Sequence, residues 1–167
     1  MSMTDTPLAL HPAVARSLAT WHDMVARQDL AALPGIVAPD ACFRSPMAFK
    51  PYQSAEAVVL ILGTVLKVFS NFRYHRQLAS ADGLSVVLEF SADVGDKSLK
   101  GIDMIRFDEA GRIVDFEVMV RPFNGLQALG AEMAQRLAAF LPVRGGPVVP
   151  AGHPASALRR SDPSRRE

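Results

Sequence analysis

Gly101-Ile102-Asp103-Met104-Ile105-Arg106-Phe107-Asp108-Glu109-Ala110-Gly111-Arg112-Ile113 reads as two strands around a tight turn, and this stretch decides the fold. Asp108 to Gly111 suits a type I turn closed by a glycine in the left-handed conformation. Side-chain alternation puts Leu99, Gly101, Asp103, Ile105 and Phe107 on one face of the first strand, and Lys100, Ile102, Met104 and Arg106 on the other. Asp103 therefore points with the apolar set. An ionised carboxylate without a partner is costly there, so the group must find a donor or take up a proton. Either outcome leaves a polar handle in an apolar space, which is what a small-molecule site needs.

Working outward, Asp82-Gly83 and Gly95-Asp96 are further turn signals, and together the three turns divide residues 72–121 into four antiparallel strands. Arg121-Pro122 ends the fourth. Leu126, Leu129, Met133, Leu137 and Phe140 then mark a final amphipathic helix closed by Pro142. Upstream, Val14, Leu18, Trp21 and Val25 form the apolar stripe of a first helix over residues 12–27. Asp29 has the character of an N-cap for a short second helix ending around Pro34-Gly35, and a short strand over 41–45 stops at Pro46. Ser54 caps a helix over 55–69 that is apolar on nearly every side, so other elements must cover it. Helices followed by a curved meander with an apolar concave face make an α+β cone, its sheet closed on one side by the N-terminal helices and supplemented by a C-terminal helix.

The chain has 167 residues, 49% of them hydrophobic and 21% charged, which is the composition of one globular domain. Residues 1–143 are expected to form that domain. Residues 144–167, rich in Pro, Gly, Ser and Arg, are expected to form a disordered tail. The tail holds a formal +3 of the chain's net +1, so the domain itself is slightly acidic and offers no basic field for nucleic acid. The single Cys42 excludes an intrachain disulfide, and no Cys/His cluster suggests a metal or cofactor. No secretory leader and no membrane-spanning apolar run is visible, so a cytoplasmic location without membrane association is expected.

Two stretches carry a family resemblance. Ile102 through Ile113 is similar, nearly residue for residue, to a segment of the ketosteroid isomerases; Trp21 through Asp29 and Asp40-Ala41-Cys42-Phe43-Arg44-Ser45-Pro46 keep the same spacing. The chain thus resembles the nuclear transport factor 2-like (cystatin-like) superfamily, in the branch of ketosteroid isomerase and the SnoaL-like polyketide cyclases, over residues 12–125. The resemblance implies that Asp103 is a protonated acid donating to a substrate oxyanion. The second oxyanion donor, a tyrosine in the isomerases, falls on Trp21, whose N–H donates but cannot relay a proton. The proton-shuttling aspartate falls on Ser45, which lacks basicity, and supporting tyrosines fall on Val37 and Leu62.

The expected ligand pocket is nearly all hydrocarbon. From the first helix, first strand and capped helix it takes Trp21, Phe43, Ser45 and Leu62. From the meander it takes Tyr74, Val86, Leu88, Phe90, Asp103, Ile105, Phe116 and Val118. Each has a plainer reading: Asp103 as a structural group bonded inside the core, Trp21 as core, and Ser45 as a hydroxyl capping nearby backbone. His22 lies at the edge of the helical stripe. His75 shares strand parity with Arg73 and Gln77 and faces out; Glu89, Asp115, Glu117, Arg121 and Cys42 also have outward parity. The expected function is binding of a lipophilic, carbonyl-bearing small molecule, with isomerase-, cyclase- or lyase-type chemistry through Asp103 as acid and Trp21 as auxiliary donor. The alternative is a non-catalytic binding or interaction module. Ile102, Met104 and Met119 form an apolar patch on the outer sheet face, which predicts a homodimer unless the final helix folds back over them.

Overall fold

A computed structural model describes residues 9–140. Its elements are α1 (Pro12–Arg27), a 3-10 turn (Leu33–Ile36), β1 (Val37–Arg44), β2 (Tyr52–Gln53), α2 (Ala55–Val68), β3 (Ser70–Ala79), β4 (Ser85–Val94), β5 (Lys97–Phe107), β6 (Ile113–Arg121) and α3 (Phe123–Leu137). The strands form one curled, unclosed sheet in the order β2-β1-β6-β5-β4-β3. All neighbours are antiparallel except β1 and β6, which run parallel. This is the α+β architecture expected. The tail expected at 144–167 lies outside the described residues.

The helix signals act locally as the sequence suggests. Pro12 opens α1, and Val14, Leu18, Trp21, Met24 and Val25 bury its stripe. The Ser54 hydroxyl accepts the Ala57 N–H at 3.2 Å and starts α2. The N-terminus of α1 rests on two hairpin turns, and this fixes two glycines with positive φ. A Cβ on Gly83 would meet the His11 nitrogen at 2.7 Å, and one on Gly111 the Ala13 carbonyl oxygen at 2.5 Å.

Three expectations change. The run Leu30–Leu33 is too short to sustain an α-helix, so Asp29 caps only a turn through the Ala31 N–H, and Pro34 lies inside the following 3-10 turn instead of ending a helix. The first strand starts earlier, at Val37, because its beginning pairs with Ile113 before an irregularity brings Cys42 opposite Asp115. The last helix ends at Leu137, leaving Phe140 67% exposed beyond it.

Inner and outer faces of the meander follow the expected parity on β5, where Leu99, Gly101, Asp103, Ile105 and Phe107 are all buried. Glu89 does face outward, and Arg76 and Lys100 hold it there. Strand β3 departs from simple alternation. Two residues of extra length, one in Ser70–Arg73 and one in Tyr74–Gln77, have no counterpart on β4. The second bulge leaves His75 and Arg76 both outside, on Ser91 and Glu89, and swings Gln77 inward to His22. Gln77 therefore does not share a face with His75. Helix α3 packs on α2 and the sheet's concave side, where Leu129 joins Phe90, Ala92, Val94 and Leu99 in a second core cluster. It does not fold back over Met104 and Met119, which remain 38% and 46% exposed.

Candidate functional site

Asp103 lies in mid-β5 between Leu88 of β4 and Val118 of β6 and retains only 6% of its surface. The Tyr74 hydroxyl donates to its Oδ2 at 2.7 Å, and the Trp21 indole N–H donates to the Tyr74 oxygen at 2.9 Å. Three elements thus converge: α1 supplies Trp21, β3 supplies Tyr74 and β5 supplies Asp103. Tyr74 sits opposite Phe90, itself opposite Gly101, so its hydroxyl spans roughly two strand spacings, about 10 Å, to reach Asp103. Only a curled sheet permits that reach. Burial pushes the Asp103 carboxyl up to about 7, with the Tyr74 bond acting in the opposite direction. Burial also raises Tyr74 well above the ordinary phenol range, and the facing carboxylate adds to the effect.

The other carboxyl oxygen decides what this arrangement can do. Oδ2 is the oxygen that Tyr74 occupies, and no fully enclosed polar side-chain atom among the described residues lacks a hydrogen bond. Oδ1 has no hydrogen-bond partner among the described residues. A protonated Asp103 offers a donor there, whereas an ionised one offers an acceptor.

The hydrocarbon set gathers round this centre. Trp21, Phe43, Leu62, Val86, Leu88, Ile105 and Phe116 share one core cluster with Tyr74 and Val118 packed against it; Phe90 belongs to the second cluster, which the same Tyr74 and Val118 border. Trp21 meets Phe116 edge-on with centroids 5.4 Å apart, and Phe72 meets the Tyr74 ring edge-on at 4.9 Å. Ser45 stands apart in role, just beyond β1, where its hydroxyl accepts the Met47 N–H at 3.1 Å. His22 pairs with Gln77 at 2.9 Å and sets its ring edge against Tyr74. The link from Tyr74 to Asp103 and the turning of Gln77 go beyond the sequence reading. Parity places Tyr74 on the inner face, but the curl that carries it across β4 has no short-range signal.

On the outer face, Cys42 donates to Asp115, which Arg44 also holds at 3.0 Å. A hollow of about 210 Å³ there is lined by Val86, Val87, Met104, Ile105, Arg106, Asp115 and Glu117 among others, and includes none of Trp21, Tyr74 and Asp103. No three metal-ligating side chains cluster among the described residues.

A cone of helices and curled sheet with one acid on its concave side defines a nuclear transport factor 2-like protein of the cystatin-like fold. Within that class the chain belongs to the SnoaL-like family, whose SnoaL-like domain model matches residues 18–116. Comparison with curated proteins finds no match. Among solved structures, a steroid delta-isomerase from Pseudomonas aeruginosa is 66% identical, covering 80% of this chain and 97% of its own, with a TM-score of 0.78. A cystatin-like-fold protein from Silicibacter pomeroyi is 35% identical over 78% of this chain and 88% of its own, at TM-score 0.68. An epoxide hydrolase/cyclase-like enzyme of pyran ring formation in salinomycin, SalBIII, shares the fold at 15% identity, covering 66% of this chain and 92% of its own, at TM-score 0.55.

Proposed function

We propose that this is an isomerase-like protein that binds a lipophilic, carbonyl-bearing small molecule on the concave side of the cone. Neutral Asp103 donates from Oδ1 to the ligand's carbonyl oxygen. The observation that carries the reading is a buried carboxyl, raised to about 7, with one oxygen held by Tyr74 and the other without a hydrogen-bond partner among the described residues. A donor aimed at a carbonyl oxygen in an apolar surround stabilises the charge that develops when the adjacent carbon loses a proton, so rearrangement next to the carbonyl is the chemistry proposed. The 66% identical steroid delta-isomerase supports that class. Ser45, in the position where the isomerase resemblance expects a base, supplies no proton acceptor of useful strength, and its hydroxyl serves the Met47 N–H. Turnover of a 5-ene-3-ketosteroid is therefore expected to be slight.

Titration calorimetry with 1-tetralone and its parent hydrocarbon tetralin, on the wild type and Asp103→Leu at about pH 6, tests the reading. The wild type is expected to prefer the ketone about tenfold, and Asp103→Leu to bind both alike. A ketone preference that survives in Asp103→Leu would overturn it. Two further proposals complete the picture. The free thiol Cys42 suits a reducing cytoplasm, and the Ile102, Met104 and Met119 face pairs two copies.

A further inference from the structure

We infer that Tyr74 is a positioning residue, pinned by Trp21, that forces the Asp103 proton onto the ligand-facing oxygen Oδ1. The argument is an inventory of hydrogens. An indole N–H can only donate, so the Tyr74 oxygen must be the acceptor of the 2.9 Å bond from Trp21. The phenol then has one hydrogen, and it lies on the 2.7 Å bond to Oδ2. If Asp103 carried its proton on Oδ2, that proton and the phenol hydrogen would compete for one line, and the half-buried phenol would have to turn its hydrogen away from the one acceptor that the described residues give it. Losing that bond beside an apolar core costs about as much as a typical hydrogen bond gains. The chain Trp21, Tyr74, Asp103 is therefore polarised one way, and the acid proton of a neutral Asp103 belongs on Oδ1.

This gives the two aromatic residues roles that differ from lining a pocket. Trp21 spends its N–H on Tyr74, so the site offers a ligand one acid donor instead of two. Tyr74 fixes the direction of that donor and, by bonding the carboxylate, restrains its rise toward the fully neutral form. The surroundings leave the pair to set this balance. From α1 the titratable group facing the chain is His22, edge-on to the Tyr74 ring and engaged by Gln77; β4 and β6 flank Asp103 with Leu88 and Val118, and α2 adds Ile61 and Leu62 to the same core.

The inference rests on the proposed ligand site for its use but not for its test, which is made without ligand. The Asp103 carboxyl is followed by ¹³C NMR through pH in the wild type, Tyr74→Phe and Trp21→Phe. Tyr74→Phe is expected to raise the carboxyl's proton affinity about tenfold, since a bond to the charged form is lost while burial stays; Trp21→Phe is expected to raise it by a smaller factor, by weakening Tyr74 as a donor. A Tyr74 that only fills space would leave the midpoint where it is, and an unchanged or lowered midpoint in Tyr74→Phe overturns the inference. The wild type provides a second reading should that variant fail to fold. A slowly exchanging Tyr74 hydroxyl proton, far downfield and moving with the Asp103 titration, is expected; its resonance staying fixed through that titration also overturns the inference. Absent ketone binding with the midpoint shifts intact would sink the ligand site and leave the role of Tyr74 standing.

Discussion

A carboxyl group set among hydrocarbon lowers its cost either by bonding a donor or by keeping its proton, and Asp103 does both in part. Tyr74 bonds one oxygen, and burial still holds the group up to about 7. For an acid, a folded value raised from the ordinary 3.8 means that the native state keeps a proton the unfolded chain has released. Stability is thus undiminished below the unfolded value, falls as pH rises between the two, and levels off above about 7. Across that window the wild type is expected to lose on the order of 4 kcal/mol relative to Asp103→Asn, which cannot ionise. Urea unfolding of both proteins at several pH values checks this, and parallel curves would refute it. At Ser45 the expectation is kinetic. Ser45→Asp places a carboxylate where the isomerase resemblance expects the base, and a trace activity on a 5-ene-3-ketosteroid is expected to rise by up to about 10² to 10⁴-fold. A robust wild-type rate would show that a base lies elsewhere.

Among the elements, β5 was fully legible and β3 was not, and the difference is physical. The face of β5 is set by strict alternation, with every second residue from Leu99 to Phe107 buried; alternation is a local property of a strand. The bulges in β3 depend on what lies opposite, so nothing in Asn71-Phe72-Arg73-Tyr74-His75-Arg76-Gln77 announces that His75 and Arg76 both turn outward while Gln77 turns in. The Ser54 cap was legible because it acts on the next few residues, and the parallel pairing of β1 with β6 was not, since it joins segments about seventy residues apart. Gly101 belongs to the same long-range class. A Cβ there would meet the Met119 carbonyl oxygen at 2.5 Å and the Phe90 ring at 2.6 Å, so the glycine lets the ring approach the strand closely beside Asp103. Gly101→Ala is expected to cost about 1 to 3 kcal/mol by overpacking. Thermal unfolding measures it, and an unchanged midpoint would mean that Phe90 moves aside freely.

On the scale of the whole molecule, the sheet has two faces with different business. The concave face encloses Asp103. The outer face carries Met104 and Met119 exposed, half-buried Ile102 beside them, and a hollow rimmed by Arg106, Asp115 and Glu117. A two-fold pairing would cover the methionines. Sedimentation equilibrium is expected to show a dimer at micromolar concentration, split by Met104→Glu with the circular dichroism unchanged; a monomeric wild type would remove the dimer. The central claim concerns the other face: a ketone is bound by the neutral form of Asp103. It is tested most directly by the protons taken up on binding, from calorimetry of 1-tetralone in buffers of different ionisation enthalpy. Since Asp103 titrates near 7, about one proton should be taken up per ligand at about pH 8 and almost none at about pH 5.5. Ketone binding at pH 8 with a heat independent of the buffer would contradict the claim.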